Sequence, residues 1–202
     1  MEIIRGKMSL EMDAGTLSTS ISGCRRVLID LGTGDGRFVR YLAEANPDAF
    51  VIGVDACREN LREASRRNQG NALFVIANAR SLPAELYGLA TQVTINFPWG
   101  SLLQGLLEAE PGLMAGLSAV SQPGALLEVR LNAGALAEAG YSLEKGTALV
   151  WDNLLAHGFG LRVPAKLDVQ SLRGYPTTWS RRLAVGRDPR SVALSGTLSR
   201  PA

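Results

Sequence analysis

Between the apolar run Arg25–Asp30 and a helical pattern at Arg37–Ala45 stands Gly32-Thr33-Gly34-Asp35-Gly36, alternate glycines at a strand-to-helix junction. Glycine there opens left-handed backbone and lets a ligand approach the main chain. The same rhythm continues along the chain. Phe50–Asp55 reads as a strand, Arg58–Arg67 as a helix, and Ala72–Ile76, Gln92–Asn96 and Ala125–Arg130 as further strands. Helical spacing over Ser101–Leu117 separates the last two. Alternation of this kind predicts βαβ units: an α/β, Rossmann-like fold with a mostly parallel, seven-stranded sheet. After Leu131 the pattern changes, with a helix near Thr147–His157 and then the run Leu161–Val169. Two β-rich runs follow, Arg181–Gly186 and Ser191–Leu198, around the turn Arg187-Asp188-Pro189-Arg190, and predict a C-terminal antiparallel hairpin. Residues 1–24 form an N-terminal extension with Glu2–Lys7 as a small strand, and residues 1–202 read as one domain.

Several classes are excluded by composition. Two cysteines, Cys24 and Cys57, and the single His157 are too few for a disulfide framework or a zinc site, so no metal is expected. There is neither an 18-residue apolar run nor a signal-like N-terminus, which predicts a soluble, cytoplasmic chain with no membrane partner. Charge is uneven: residues 1–155 carry 13 Lys/Arg against 17 Asp/Glu, whereas residues 156–202 carry 8 against 2. Eighteen of the 21 basic residues are arginine, which suits bidentate phosphate contacts. A localised anionic partner, nucleic acid first, fits this asymmetry. A solvated pair of basic strands fits it too.

The glycine loop has GxGxG spacing, whereas the pyrophosphate loop of NAD enzymes uses GxGxxG. S-adenosylmethionine (SAM) carries no phosphate; its site needs close backbone approach and acids for an amino group and ribose hydroxyls. Asp30 ends the first strand, and Asp55, 19 residues after Gly36, ends the second. This set favours SAM, with Asp30, Gly32, Thr33, Gly34, Gly36 and Asp55 at the cofactor. Ala77-Asn78-Ala79-Arg80 then follows the third strand, where small residues admit a flat ring; a plain turn at Asn78 is the alternative.

Asn96-Phe97-Pro98-Trp99-Gly100-Ser101 ends the fourth strand, on the side of the sheet where ligands bind. Proline interrupts ladder bonding, leaving carbonyls such as those of Phe97 and Pro98 for a base amino group, with the Trp99 ring beside them. A buried Trp closing the strand is the alternative. Trp179 lies in a polar, basic segment, Thr177-Thr178-Trp179-Ser180-Arg181-Arg182, a poor setting for core. Extruding a base costs a few kcal/mol, and each aromatic face returns roughly 1–3 kcal/mol. Two tryptophans therefore suffice where one does not. Trp151, at helical spacing with Leu154 and Leu155, reads as core. Arg58, Arg62 and Arg66 repeat at i, i+4 and suggest an RNA-facing stripe, although Glu59 and Glu63 fit a salt-bridged solvent face equally well.

Asp30–Arg37 (DLGTGDGR), Arg58-Glu59-Asn60-Leu61, Ser81-Leu82-Pro83, Phe97–Leu103 (FPWGSLL) and Trp179–Arg187 (WSRRLAVGR) together resemble the aminoglycoside-resistance 16S rRNA (adenine(1408)-N(1))-methyltransferases of the Kam/Npm type. The resemblance covers most of the chain, and the FPWG and WxxRLAxGR segments are its most specific parts. It implies a class I SAM-dependent methyltransferase acting on N1 of the decoding-site adenine in the 30S subunit. It implies Trp99 and Trp179 clamping the base, with Phe97 and Pro98 beside it, as the catalytic set. Asp30, Gly32, Thr33, Gly34, Gly36, Phe38, Asp55, Ala79, Arg80, Asn96, Ser101 and Thr177 would hold the cofactor. Arg66, Arg67, Arg181, Arg182, Arg187 and Arg190 would meet RNA, joined by Arg58 and Arg62 if the helix stripe faces it. A monomer is expected. In three places the chain departs from the family pattern. Arg80 stands where members tend to carry Glu, Phe38 where a polar residue is expected, and Asp188-Pro189-Arg190 has its basic residue later than expected.

Rival readings are a tRNA (guanine-N7) methyltransferase, whose Asn-Phe-Pro-Asp-Pro-Trp stretch here lacks Asp-Pro, and an NAD-dependent oxidoreductase, for which no Tyr/Lys or His set is present. A third is a SAM-fold protein that binds RNA without catalysis.

Overall fold

The computed structural model describes residues 1–66, 70–185 and 188–199. Five parallel strands form its centre: β3 (Arg26–Leu31), β4 (Ala49–Asp55), β5 (Ala72–Ile76), β6 (Ala90–Asn96) and β7 (Ser121–Asn132). All five strands foreseen for this central part are present, with ends extended by a few residues in β6 and β7. The sheet has ten strands rather than seven. An N-terminal hairpin, β1 (Glu2–Arg5) and β2 (Met8–Glu11), adds one edge through Ile3 opposite Val75 of β5. At the other edge β10 (Ser191–Leu198) runs antiparallel to β7 and is itself covered by β8 (Phe159–Leu161) and β9 (Ala165–Leu167).

The order is β2-β1-β5-β4-β3-β6-β7-β10-β8, with β9 also on β10. The chain moves outward from β3 through β4 to β5, then returns to place β6 on the other flank of β3. Such a reversal opens a crevice beyond the C-terminal strand ends. Alternate residues face opposite sides. Val27, Ile29 and Leu31 pack under α1 (Ala14–Ile21), α4 (Gly100–Leu107), α5 (Pro111–Val120), α6 (Ala133–Glu138) and α7 (Leu143–Ala156), whose Leu17, Leu106, Leu117, Leu136 and Val150 are buried. Leu28 and Val51 pack under α2 (Arg37–Ala45) and α3 (Arg58–Leu61). Trp151 is half-buried against the larger core, as expected. No helix among the described residues is long and apolar enough to cross a membrane.

Three elements differ from the sequence expectation. The Arg181–Gly186 run is not a hairpin strand: Thr178–Val185 is a helix, α9, preceded by α8 (Val169–Gly174). Thr177 Oγ1 accepts from the Ser180 main-chain N–H at 2.9 Å, an N-cap bond. Leu183 then packs with Phe97 and Leu172 in a small separate core. Ser101–Leu117 is two helices, because Pro111 starts a new one under the Glu110 carboxylate, which accepts from the Gly112 and Leu113 N–H groups. The Arg58–Arg67 helix ends at Leu61 and is followed by a 3-10 turn at Ala64–Arg66, so the arginines do not form a continuous i, i+4 stripe.

Candidate active site

The glycine loop leaves β3 with Gly32, Gly34 and Gly36 all at positive φ, between 56° and 69°. The Gly32 and Thr33 N–H groups donate to Val54 O on β4. Asp55 holds the next turn: its Oδ2 accepts from Gly34 N at 2.8 Å, and its Oδ1 from Cys57 N at 2.8 Å. Asp55 thus couples the glycine loop to the start of α3; Oδ2 keeps a lone pair for an incoming hydroxyl, and Oδ1 also accepts from Asn60 Nδ2 at 3.4 Å, a long bond that a hydroxyl can displace. Gly36 has a packing role. A Cβ there would lie 2.5 Å from Ala64 Cβ and 2.6 Å from Phe74 Cε1.

Above these strand ends lies a cavity of about 520 Å³. Its walls include every proposed cofactor residue except Gly36: Asp30, Gly32, Thr33, Gly34, Phe38, Asp55, Ala79, Arg80, Asn96, Ser101 and Thr177. Phe97, Pro98, Trp99, Trp179 and Arg182 share it. Asp30 is 2% exposed, its Oδ1 accepting from Thr94 Oγ1 at 2.6 Å and Asn96 Nδ2 at 2.8 Å. Burial pushes its carboxyl up to about 6, against the opposing pull of these hydrogen bonds and the Arg130 charge. Arg80 donates through Nη2 to Ser101 O at 3.1 Å, while its Nε is buried without a partner. Phe38, where a polar residue was expected, stacks on Tyr175 with ring centroids 5.1 Å apart.

The FPWG segment turns sharply: Phe97 has φ 50°, a left-handed conformation rare outside glycine, and is buried. This bend sends Trp99 out over the cavity, where its ring stacks on Trp179 at 4.9 Å and 12°. Trp99 Nε1 donates to Glu138 Oε1 at 3.2 Å, fixing one face of the pair. Two residues 80 positions apart therefore meet face to face. A base between them needs about 7 Å, two van der Waals steps, so the pair must open to receive one.

Among the basic residues, Arg182 lies over Trp179, 5.3 Å from the ring centroid, and Arg181 is exposed on the same helix. Arg62 pairs with Glu59 at 3.6 Å and Arg66 with Glu63 at 3.2 Å. Exposed pairs of this kind contribute little and exchange readily for phosphate. Arg58 donates to Lys7 O at 3.0 Å, tying α3 to the N-terminal hairpin. Arg190 is held by Asp188. Arg67 and Arg187 lie outside the described residues. Sequence reasoning missed Asp35, which accepts from Thr178 Oγ1, and the pair Tyr175 and Arg130. Asp35, inside the glycine loop, was visible in principle; the other two carry no motif.

The chain is similar to known proteins along nearly its whole length. A sequence model of the NpmA family, 16S rRNA (adenine(1408)-N(1))-methyltransferase, matches residues 2–198. The Escherichia coli enzyme of that name is 29% identical over 99% of this chain and 100% of its own length. The crystal structure of the antibiotic-resistance methyltransferase Kmr superposes with a TM-score of 0.82 at 36% identity, covering 100% of both chains. A W203A variant of the Catenulisporales acidiphilia 16S rRNA (adenine(1408)-N(1))-methyltransferase, solved with the cosubstrate SAM, superposes with a TM-score of 0.86 at 26% identity, over 100% of this chain and 98% of that one. A glycine loop, two strand-end acids and a tryptophan pair on one cavity are thus set in a chain that matches end to end, and it belongs to the NpmA family of 16S rRNA (adenine(1408)-N(1))-methyltransferases.

Proposed function

We propose that the protein transfers a methyl group from SAM to N1 of adenine 1408 of 16S rRNA, presented by the 30S subunit, and so confers aminoglycoside resistance. It acts as a cytoplasmic monomer with no metal. The observation that carries this reading is the stacked Trp99–Trp179 pair on the wall of the cavity that also contains Asp30, Asp55 and the glycine loop. The cavity suits SAM: Asp30 offers a carboxylate for the amino group, Asp55 for the ribose hydroxyls, and Ala79 a small wall for the adenine.

When bound, SAM supplies an electrophilic sulfonium methyl, which the in-plane lone pair of adenine N1 takes directly as the carbon–sulfur bond breaks. No residue need remove a proton first. The protein's work is positioning. Trp99 and Trp179 hold the extruded ring, the Asn96–Trp99 segment offers carbonyls to its amino edge, and the arginines of α9 and the α3 region follow the RNA backbone. Purified 30S subunits incubated with labelled SAM are expected to gain one methyl. Reverse transcription should then stop one nucleotide before adenine 1408, because N1-methylation blocks the Watson–Crick edge. Label entering tRNA instead would establish the guanine-N7 activity.

Asp30 gives this site a pH dependence. Its folded value of about 6 exceeds the ordinary 3.8, so its contribution to stability is full below pH 4 and is lost as pH rises towards 6. The difference corresponds to about 3 kcal/mol. Binding has the opposite sign: the SAM ammonium needs the ionised carboxylate, so affinity weakens as pH falls through 6. Calorimetry should give a Kd at pH 5 about tenfold above that at pH 7.5. Asp30→Asn should bind weakly with a flat profile. A parallel pH dependence in wild type and variant would remove Asp30 from that role.

A further inference from the structure

Tyr175 sits in the turn between α8 and α9, outside every motif of the sequence, yet its side chain meets four residues beside the cavity. Its hydroxyl donates to Asn96 Oδ1 at 3.0 Å. The same oxygen accepts from Arg130 Nη1 at 3.0 Å, so both of its lone pairs are used. Asn96 Nδ2 donates to Asp30, which leaves the Asn96 amide fully oriented. The Tyr175 ring is held on three sides: Phe38 stacks on it at 5.1 Å, Phe97 meets it edge-on at 6.3 Å, and the Arg130 guanidinium lies 4.2 Å from its centroid.

The main chain of Tyr175 is equally fixed. Its carbonyl accepts from Ser180 Oγ at 2.6 Å, inside the first turn of α9, and Ser180 is completely buried. Trp179 is the neighbour of Ser180. On the other side, Asn96 precedes Trp99 by three residues across the left-handed Phe97. One side chain therefore joins the two segments that carry the tryptophans, at the residue that also touches Asp30.

We infer that Tyr175 is a positioning residue: its hydroxyl bond to Asn96 sets the register between the Asn96–Trp99 segment and α9, and so the face-to-face placement of Trp99 and Trp179 for the target base. This rests on the clamp reading above. Leu183 packs on Phe97 in the small core and Thr178 ties α9 to Asp35 of the glycine loop at the exposed mouth, whereas the Tyr175 hydroxyl adds a directed bond to the Asn96–Trp99 segment, and directed bonds fix register more narrowly than apolar packing does. Slippage of the helix by a fraction of an ångström would tilt one ring against the other, and misplacement on this scale slows a positioning-dependent reaction strongly.

Tyr175→Phe tests the hydroxyl while keeping the ring in its cage. Two stacked indoles give an exciton couplet in the far-ultraviolet circular dichroism, which reads their mutual geometry directly. The variant is expected to weaken that couplet and lower kcat about tenfold, with KM for 30S subunits and Kd for SAM within threefold and Tm within a few degrees. A couplet and kcat equal to wild type would overturn the inference. So would a weakened couplet with unchanged kcat, or loss of activity explained by a collapsed Tm. Trp99→Ala, measured in parallel, separates the two claims. An inactive Trp99→Ala beside a normal Tyr175→Phe removes Tyr175 alone, whereas an active Trp99→Ala removes the clamp itself.

Discussion

Trp99→Ala and Trp179→Ala are each expected to lower methyl transfer to 30S subunits by about a thousandfold or more, with SAM affinity within threefold of wild type. Each variant deletes one stacking face, which returns roughly 1–3 kcal/mol to a base whose extrusion costs a few. The remaining face does not cover that cost alone. The base that does enter is free to tilt, and loss of alignment with the methyl adds on the order of a hundredfold. In the free protein the rings already stack on each other at 4.9 Å, so the base exchanges one aromatic contact for two. Phenylalanine keeps a face of smaller area, and Trp99→Phe should therefore retain measurable activity while losing the Nε1 bond to Glu138. Single-turnover rates with saturating SAM, beside calorimetric Kd values, check these outcomes. Alanine variants turning over at wild-type rates would show that the base is held elsewhere.

The central sheet was legible because parallel strands are buried on both faces and so read as continuous apolar runs; Phe50–Asp55 and Ala72–Ile76 are examples. The glycine loop was legible because positive φ at Gly32, Gly34 and Gly36 leaves few other choices. Short segments failed where two periods compete. Arg181–Val185 fits a strand over five residues, and what decides for a helix is the Thr177 cap together with burial of Leu183 against Phe97, more than 80 residues earlier. The arginine stripe failed because it assumed a helix running to Arg67, whereas α3 opens without a side-chain cap and stops at Leu61. Among the site residues, Asp30 and Asp55 announced themselves at strand ends. Tyr175 did not, since its partner Asn96 is 79 positions away and only the fold brings them together.

Asp55→Ala should be as damaging to cofactor binding as the tryptophan variants are to transfer. Hydrogen bonds to a charged acceptor are worth about 1.5–3 kcal/mol each. Loss of both ribose contacts then weakens SAM by a factor between about a hundred and ten thousand. A second effect follows from the free structure: the Gly34 and Cys57 N–H groups lose their acceptor, and the loop that approaches the cofactor loses its tie to α3. Both groups lie near the cavity, where water can replace the carboxylate, so the stability loss should stay near 1–2 kcal/mol. Asp55→Asn separates the two effects. Its single carbonyl oxygen can still accept from one main-chain N–H and one hydroxyl, but the amide NH2 in place of the other oxygen accepts nothing, so its affinity should fall between wild type and alanine. SAM calorimetry and thermal unfolding on the three proteins measure both quantities. If Asp55→Ala binds SAM within fivefold of wild type, the ribose is held by other groups, and the role of Asp55 is confined to shaping the glycine loop.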